Sequence, residues 1–536
     1  MAAFAINNSY KGSAWIIWAV LILSITGVNA TIMPVDPSQK ITWPYHMFKT
    51  VDFEPPWLNT SHHGASSEGY LFFAPDGATP TQMAPVIMDM HGELVWNGPV
   101  EHGFAFGKYE YRGEPVLAWW NGSLFPEPVG RGNGVIYIYN NKYEQTHRVT
   151  LDGNFLELVP GETFESNIDV HEILFTSKGS LVVTANNVTQ ADLTSVGGPV
   201  DGWVVDAQVY EIDIETNEVL FSWSSLDHLD QLPFTASVYA LGREGYTGAN
   251  QSLAWGYFHI NAAEPYDGGY IISSRYLCSA IAIDSSDGHV KWRLGGRTGG
   301  DFDLVGSDDA TGFCYQHDIR VVDQRRAGLT LRMYDDHNSP VENNTVPATA
   351  KILDLDFSTN EVSLVNRYWN HEGPTFPTAQ GNYQPLANGN HFVGHGWIPV
   401  MEEFSPSGSI LATIQFGDAV LRPGGGYFSA EEPTLSYRDF KHKWVGCPST
   451  RPDVVVESSQ GALQVYVSWN GATEVEAWEV YGGNSAHALQ CVATVPKTGF
   501  ETTARIDKVG YVKVKPVLKK ECSCVDRPSS VVVEVS

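Results

Sequence analysis

From Tyr257 to Gly296 the chain alternates apolar runs with turn residues in a regular way. His259 opens a short run, and Asp267-Gly268-Gly269 marks a turn. Tyr270 to Ser274 is β-rich, Ala280 to Asp284 forms a third run, Asp287-Gly288 turns again, and His289 to Leu294 is the fourth. Asp-Gly between apolar runs is the strongest short hairpin signal. The pattern predicts four antiparallel strands joined by tight turns, the composition of one propeller blade.

The last half of this unit recurs. A β-rich run ends on a turn residue at Asp89, Asn140, Asp213, Asp284, Asp356 and Ser405, at intervals of 49 to 73 residues, and a second apolar run follows each. Self-similarity on this scale signals an array or a propeller, and six copies predict six blades. The first copy has no innermost strand of its own. Tyr427 to Phe440 is a candidate donor from the far end. After Cys447 the period shortens, and seven short alternating runs between Val454 and Val535 predict an immunoglobulin- or fibronectin-III-like sandwich. The expected fold class is all-β, with a six-bladed β-propeller over residues 31–450 and a small β-sandwich over 451–536.

At the N-terminus, Lys11 precedes an apolar run from Ala14 to Ile25 and a small-residue site at Val28-Asn29-Ala30. This predicts a secretory signal over residues 1–30 and no membrane insertion after its cleavage. Sequons at Asn59, Asn121, Asn187, Asn250 and Asn343 fit a secreted glycoprotein. Six cysteines permit disulfides in an oxidising compartment. Cys278 follows the end of one blade's second strand, and Cys314 precedes the next blade's first strand, so the two are expected to pair.

Composition narrows the function. The chain has 536 residues, 43% hydrophobic and 18% charged, which is the balance of a folded globular protein. A net charge of −28 disfavours nucleic acid as partner, because phosphates require Lys and Arg. No zinc-knuckle spacing, phosphate-binding loop or Gly-x-Ser-x-Gly elbow occurs. Asp301 to Asp309 lacks the closing Glu of a calcium loop and reads as a solvated acidic segment. No metal and no cofactor are expected, and the protein is expected to be a monomer.

In a propeller, first strands start and second strands end at the same mouth. By that rule His171, His259 and His317 open first strands, while Arg275 and His395 end second strands. Convergent imidazoles in a concave site can act as nucleophile, base or acid near neutral pH. Arg275 can hold an anion.

At these residues the chain resembles the arylsulfotransferase (ASST) propeller family, in the form found in secreted fungal proteins. The stretches that carry the resemblance include "GYLFFAP" from Gly69, "HGELVW" from His91, "DVHEI" from Asp169, "YFHIN", "ISSR", "WRLGG" from Trp292, "QHDIR" from Gln316 and "NGNHFVGHG" from Asn388. The resemblance implies transfer of sulfate from an aryl sulfate ester to a phenol through a histidine, without a nucleotide sulfate donor. Its HxN and QH motifs fall on His259, Asn261 and His317. The expected catalytic pair is therefore His259 and His317. Arg275, Asn261, His171 and His395 are the expected substrate-binding residues. Where bacterial members carry an Arg after an "FDNG" stretch, this chain has Tyr334-Asp335-Asp336-His337. A second class of function stands beside this one: a noncatalytic secreted propeller that binds a glycan or an aromatic ligand. A reactive imidazole in the mouth distinguishes the two.

Overall fold

The computed structural model describes residues 34–35, 43–125, 130–306, 311–340, 345–422, 425–429, 433–521, 524 and 528–535. The expected signal segment, the sequon at Asn343 and part of the acidic segment after Asp301 lie outside them. The described chain is all-β, with only short 3₁₀ turns between strands. No described helix is long and apolar enough to cross a membrane.

Ahead of residue 450, the larger described sheets are six, five of them use four consecutive strands, and all their pairings are antiparallel except that of Asp303–Leu304, which adds parallel to Glu361–Tyr368 of the fifth. The second runs through Phe104–Tyr111, Glu114–Phe125, Arg131–Tyr139 and Gln145–Val149. The fourth runs through Ile260–Tyr266, Gly269–Ser274, Ser279–Asp284 and Val290–Gly295. The fifth opens with His317–Arg325 and Gly328–Asp335, and the sixth with Asn382–Pro385 and His391–Gly394. The six repeated turn residues each follow the third strand of a different sheet. Their side chains explain the repetition. Asp89 Oδ1 accepts the amides of His91 and Glu93 at 2.8 and 3.0 Å, and Asn140, Asp213, Asp284, Asp356 and Ser405 likewise accept downstream amides. These side-chain caps satisfy turn amides that the ladder leaves unpaired. Asp267 and Gly268 both have positive φ, 43° and 71°, which matches the two-residue hairpin turn that follows strand twist.

The first sheet is completed from the other end of the region. Phe440–His442 pairs with Tyr70–Phe72, so the donated strand lies at the end of the expected Tyr427 to Phe440 stretch and just beyond it. Asn59–His62 in turn adds a fifth strand to Ile410–Gln415 of the sixth sheet. The third sheet departs from expectation. Its first strand is only Leu174–Phe175, and His171 lies in the preceding turn, because the Asp169 side chain bonds back to the His171 amide and ring. Apolar clusters fill the space between neighbouring sheets. One joins Val182 and Val209 of the third sheet to Ile272 and Ile281 of the fourth. Each such side chain contributes about 1.5–3 kcal/mol on burial.

Just ahead of the donated strand lies Asp439, whose amide and carbonyl pair with the Asn382 side chain at 2.8 Å each. Its carboxyl is fully buried, and burial pushes its pKa up to about 8. A raised carboxyl pKa means the folded chain holds a proton that the unfolded chain releases above about 3.8. Stability is therefore lost as pH rises from that value toward 8. Asp439→Asn cannot ionise. It should raise the melting temperature more at pH 8 than at pH 4, as thermal melts at the two pH values would show. An equal shift at both would rule out the linkage.

Two disulfides are described. Cys278 and Cys314 pair as expected, with Cα atoms 4.4 Å apart, and Cys447 pairs with Cys524 at 5.4 Å. Cys491 is an exposed free thiol. Disulfides are compatible with an oxidising compartment. Beyond residue 450, Asp453–Ser459, Ala462–Ser468 and Thr502–Asp507 form one sheet. Gln490–Pro496, Val475–Gly483, Tyr511–Leu518 and Val533–Glu534 form another, and Leu463, Val465, Trp478, Val480 and Val514 share a core between them.

Candidate functional site

Local backbone irregularities aim the site residues. The first strands of the second, fourth and fifth sheets carry bulges near their starts, between Phe104 and Gly107, Ile260 and Ala262, and His317 and Arg320. Ala105, His259 and Asp318 have positive φ at these starts, 54°, 56° and 52°, and Gln380, ahead of the sixth sheet's first strand, has 69°. Bulges and left-handed non-glycine residues cost energy and gather where side chains must be redirected. The result is a cavity of about 200 Å³ lined by His171, His259, Arg275, His317 and Arg131. Its aromatic walls include Phe104, Tyr239, Tyr276, Trp397 and Tyr437. A cavity of about 150 Å³ already admits benzene.

His317 is anchored on both nitrogens. Its Nδ1 lies 2.5 Å from Asp336 Oδ2, and its Nε2 accepts the Gln380 amide at 3.2 Å. The amide proton requires a lone pair on Nε2, so the ring proton sits on Nδ1, held by Asp336. Burial, then the charge of Arg275, lowers the His317 pKa well below the ordinary value, which keeps the imidazole neutral. Burial lifts the Asp336 carboxyl and Arg275 opposes that rise. The Gln380 amide decides the tautomer.

A second imidazole pair faces it. His171 Nδ1 lies 2.5 Å from Asp169 Oδ2, and His171 Nε2 meets His259 Nε2 at 3.1 Å. Burial alone would raise the Asp169 carboxyl, but His171, the Gly132 amide and Arg131 hold it below the usual range. Burial, then His171 and Arg131, lowers the His259 pKa well below the ordinary value. His259 Nδ1 is buried with no partner among the described residues.

Two guanidiniums complete the lining. Arg275 donates to the Thr378 carbonyl at 2.7 Å and to Tyr276 Oη at 3.3 Å, and it stacks over Tyr276 and Tyr315. No described carboxylate pairs with it. The Arg275 amide bonds the His259 carbonyl at 2.9 Å, which is why the two residues share the mouth.

Arg131 is the residue sequence reasoning missed. It is 2% exposed, and both terminal nitrogens are without hydrogen-bond partners among the described residues. The available signal was the alternation Gly130-Arg131-Gly132-Asn133-Gly134. Gly132 and Gly134 lie against the Trp120 ring, where a Cβ would approach it to 2.9 and 2.6 Å, so Arg131 and Asn133 face the other way. The segment between the third and fourth sheets, Ser225 to Ala254, carries no motif that marks it for the site. It contributes Tyr239, stacked on Tyr276 at 4.5 Å, and Glu244.

Two expected site residues stand outside the lining. His395 is buried between Tyr334, Thr375 and Glu402, with bonds of 2.7, 3.0 and 3.0 Å. The Asn261 side chain donates to the Gln316 carbonyl at 2.7 Å and thereby braces the residue before His317. Among the described residues, no group of three or more His, Cys, Asp or Glu is placed to hold a metal ion.

No curated protein matches the chain. Among solved structures it is similar to a dihydro-haem d1 dehydrogenase, with 8% identity over 82% of this chain and 76% of that one at a TM-score of 0.31. It is similar to a GH43 protein from Bacillus licheniformis, with 8% identity over 82% and 90% at 0.29. It is also similar to a luciferin-regenerating enzyme, with 11% identity over 69% and 85% at 0.30. The family model described as arylsulfotransferase (ASST) matches residues 110–417, more than half of the chain. By that match the chain, whose aromatic cavity gathers three imidazoles and two guanidiniums, belongs to the arylsulfotransferase family.

Proposed function

We propose that the protein is a secreted arylsulfotransferase of the fungal type, moving a sulfuryl group from an aryl sulfate ester to a phenolic acceptor through His317. The observation that carries this reading is the buried neutral imidazole of His317 facing unpaired guanidiniums in an aromatic cavity. In this reading the six sheets are the blades of a six-bladed propeller, and the two C-terminal sheets are an immunoglobulin- or fibronectin-III-like docking module. The protein acts as a monomer and draws on no nucleotide or cofactor.

The steps balance as follows. His171 carries an extra proton, held between Asp169 and His259 Nε2. The Nε2 lone pair of His317 attacks sulfur and forms an N–S bond, releasing the Gln380 amide. The S–O bond to the aryl group breaks, and its electron pair leaves on the phenolic oxygen. His259 Nδ1–H delivers a proton to that oxygen, while His171 passes its proton to His259 Nε2. An acceptor phenol then returns a proton through His259, attacks the sulfur and restores neutral His317. Arg275 holds sulfuryl oxygens throughout, and neutral nucleophile and fixed cations are what such a transfer requires.

The test is incubation with 4-nitrophenyl sulfate and phenol. Nitrophenolate release should depend on phenol and be matched by phenyl sulfate in mass spectra. Because the pKa of His317 is depressed below 6.5, its free base survives acidification that would protonate an ordinary imidazole. The acid limb of kcat/KM should therefore lie below pH 6.5, not at it. A protein that binds the aryl sulfate and transfers nothing would favour the noncatalytic binding reading.

A further inference from the structure

We propose that Arg131 is a catalytic residue that neutralises the departing phenolic oxygen, and that Gly256 makes the space in which it does so. The proposal rests on the sulfuryl-transfer reading and adds a division of labour between the two guanidiniums. Displacement at a tetrahedral sulfuryl group places entering and leaving atoms roughly in line, on opposite sides, as in phosphoryl transfer. His317 occupies one side, and the charge that weighs most on it is Arg275. Arg131 weighs on Asp169 and, ahead of Arg275, on His259, members of the proton-carrying group. The preceding residue, Gly130, has φ +84°, and a Cβ there would lie 3.6 Å from His171 Nε2 and 3.8 Å from His259 Cε1. The residue ahead of Arg131 thus abuts the proton-carrying pair, the Arg131 guanidinium lines the same cavity, and in this proposal it stands on the side from which the leaving oxygen receives its proton.

The guanidinium is built for an oxygen that carries charge only part of the time. It is buried, its terminal nitrogens have no hydrogen-bond partner among the described residues, and it lines the cavity. An unpartnered buried cation is expensive in the resting protein. That cost is relieved when negative charge develops opposite it, which is selective stabilisation of the transition state. Gly256 sets its position. A Cβ at Gly256 would come within 2.6 Å of Arg131 Nη1 and 2.8 Å of Cζ, so any larger residue pushes the guanidinium away.

Bound 4-nitrophenol reports the interaction without turnover. In wild type it should ionise about 1–3 pH units below free 4-nitrophenol, the shift an opposite charge at contact distance produces. Arg131→Ala should abolish most of that lowering, and Arg131→Lys and Gly256→Ala should each reduce it. A series of aryl sulfates supplies the second readout. Arg131→Ala should lose more rate on poor leaving groups than on 4-nitrophenyl sulfate, steepening the dependence on phenol pKa. An unchanged absorbance titration in Arg131→Ala, or equal losses across the series, would overturn the proposal. If Arg131→Ala fails to fold, Arg131→Lys and Gly256→Ala decide on the same two readouts. If wild type transfers no sulfate at all, the reaction reading fails, and the nitrophenol titration still decides whether Arg131 holds a phenolate.

Discussion

His317→Ala should lower sulfate transfer by at least about 10²-fold and leave no sulfated enzyme to be trapped. The size follows from what is removed. On the proposed mechanism His317 supplies the lone pair that forms the N–S bond: Asp336 orients one nitrogen and the Gln380 amide fixes the lone pair on the other, whereas His395, which is similarly held, lies outside the cavity lining. Asp336→Asn should fall between wild type and His317→Ala, because it keeps the ring and weakens the tautomer. Rapid quenching with aryl sulfate and no acceptor, followed by peptide mass spectrometry, should place the sulfuryl group on the peptide that contains His317. A label on His259 or His171 instead, or a His317→Ala protein with wild-type transfer, would sink this assignment.

Glu172→Ala should destabilise the protein by about 3–5 kcal/mol, the range for breaking a buried ion pair by removing one partner. Glu172 is fully buried beneath the cavity. Its carboxylate accepts two bonds from Arg320 and one from Arg438, all 2.9 Å, and the amides of Ala263 and Ile173 at 2.9 and 3.0 Å. These residues come from the third, fourth and fifth sheets and from the donated segment that closes the first. Arg320 keeps Asp318 at 3.2 Å after the change, but Arg438 is left with only the Asn261 carbonyl. Denaturant unfolding measures the loss. A midpoint within 1 kcal/mol of wild type, converted through the slope, would mean that water or rearrangement satisfies Arg438.

Several features were legible because they are local. Alternation of apolar and polar residues fixes which side of a strand is buried within a few residues. The five Asp and Asn residues and Ser405 that end third strands declare themselves through turn chemistry, and all six are found there. Cys278 and Cys314 sit at neighbouring strand ends, so their pairing followed from strand order alone. His259, His317 and Arg275 were legible for the same reason: each lies at a first-strand start or a second-strand end.

Tertiary structure decided the rest. His171 reaches the cavity from a turn, not a strand, because Asp169 folds the chain back locally. His395 has the same register as Arg275, yet its ring is committed to Glu402 and Tyr334. The sequence contains no sign that Arg275 and Arg131 lack carboxylate partners among the described residues, since pairing depends on residues distant along the chain. Arg275, for example, donates to the carbonyl of Thr378. Period and turn chemistry act over a few residues and can be read along the chain. Which charges are paired, and which cations remain free to meet an anion, is set only when the sheets gather and strands 370 residues apart close the first of them.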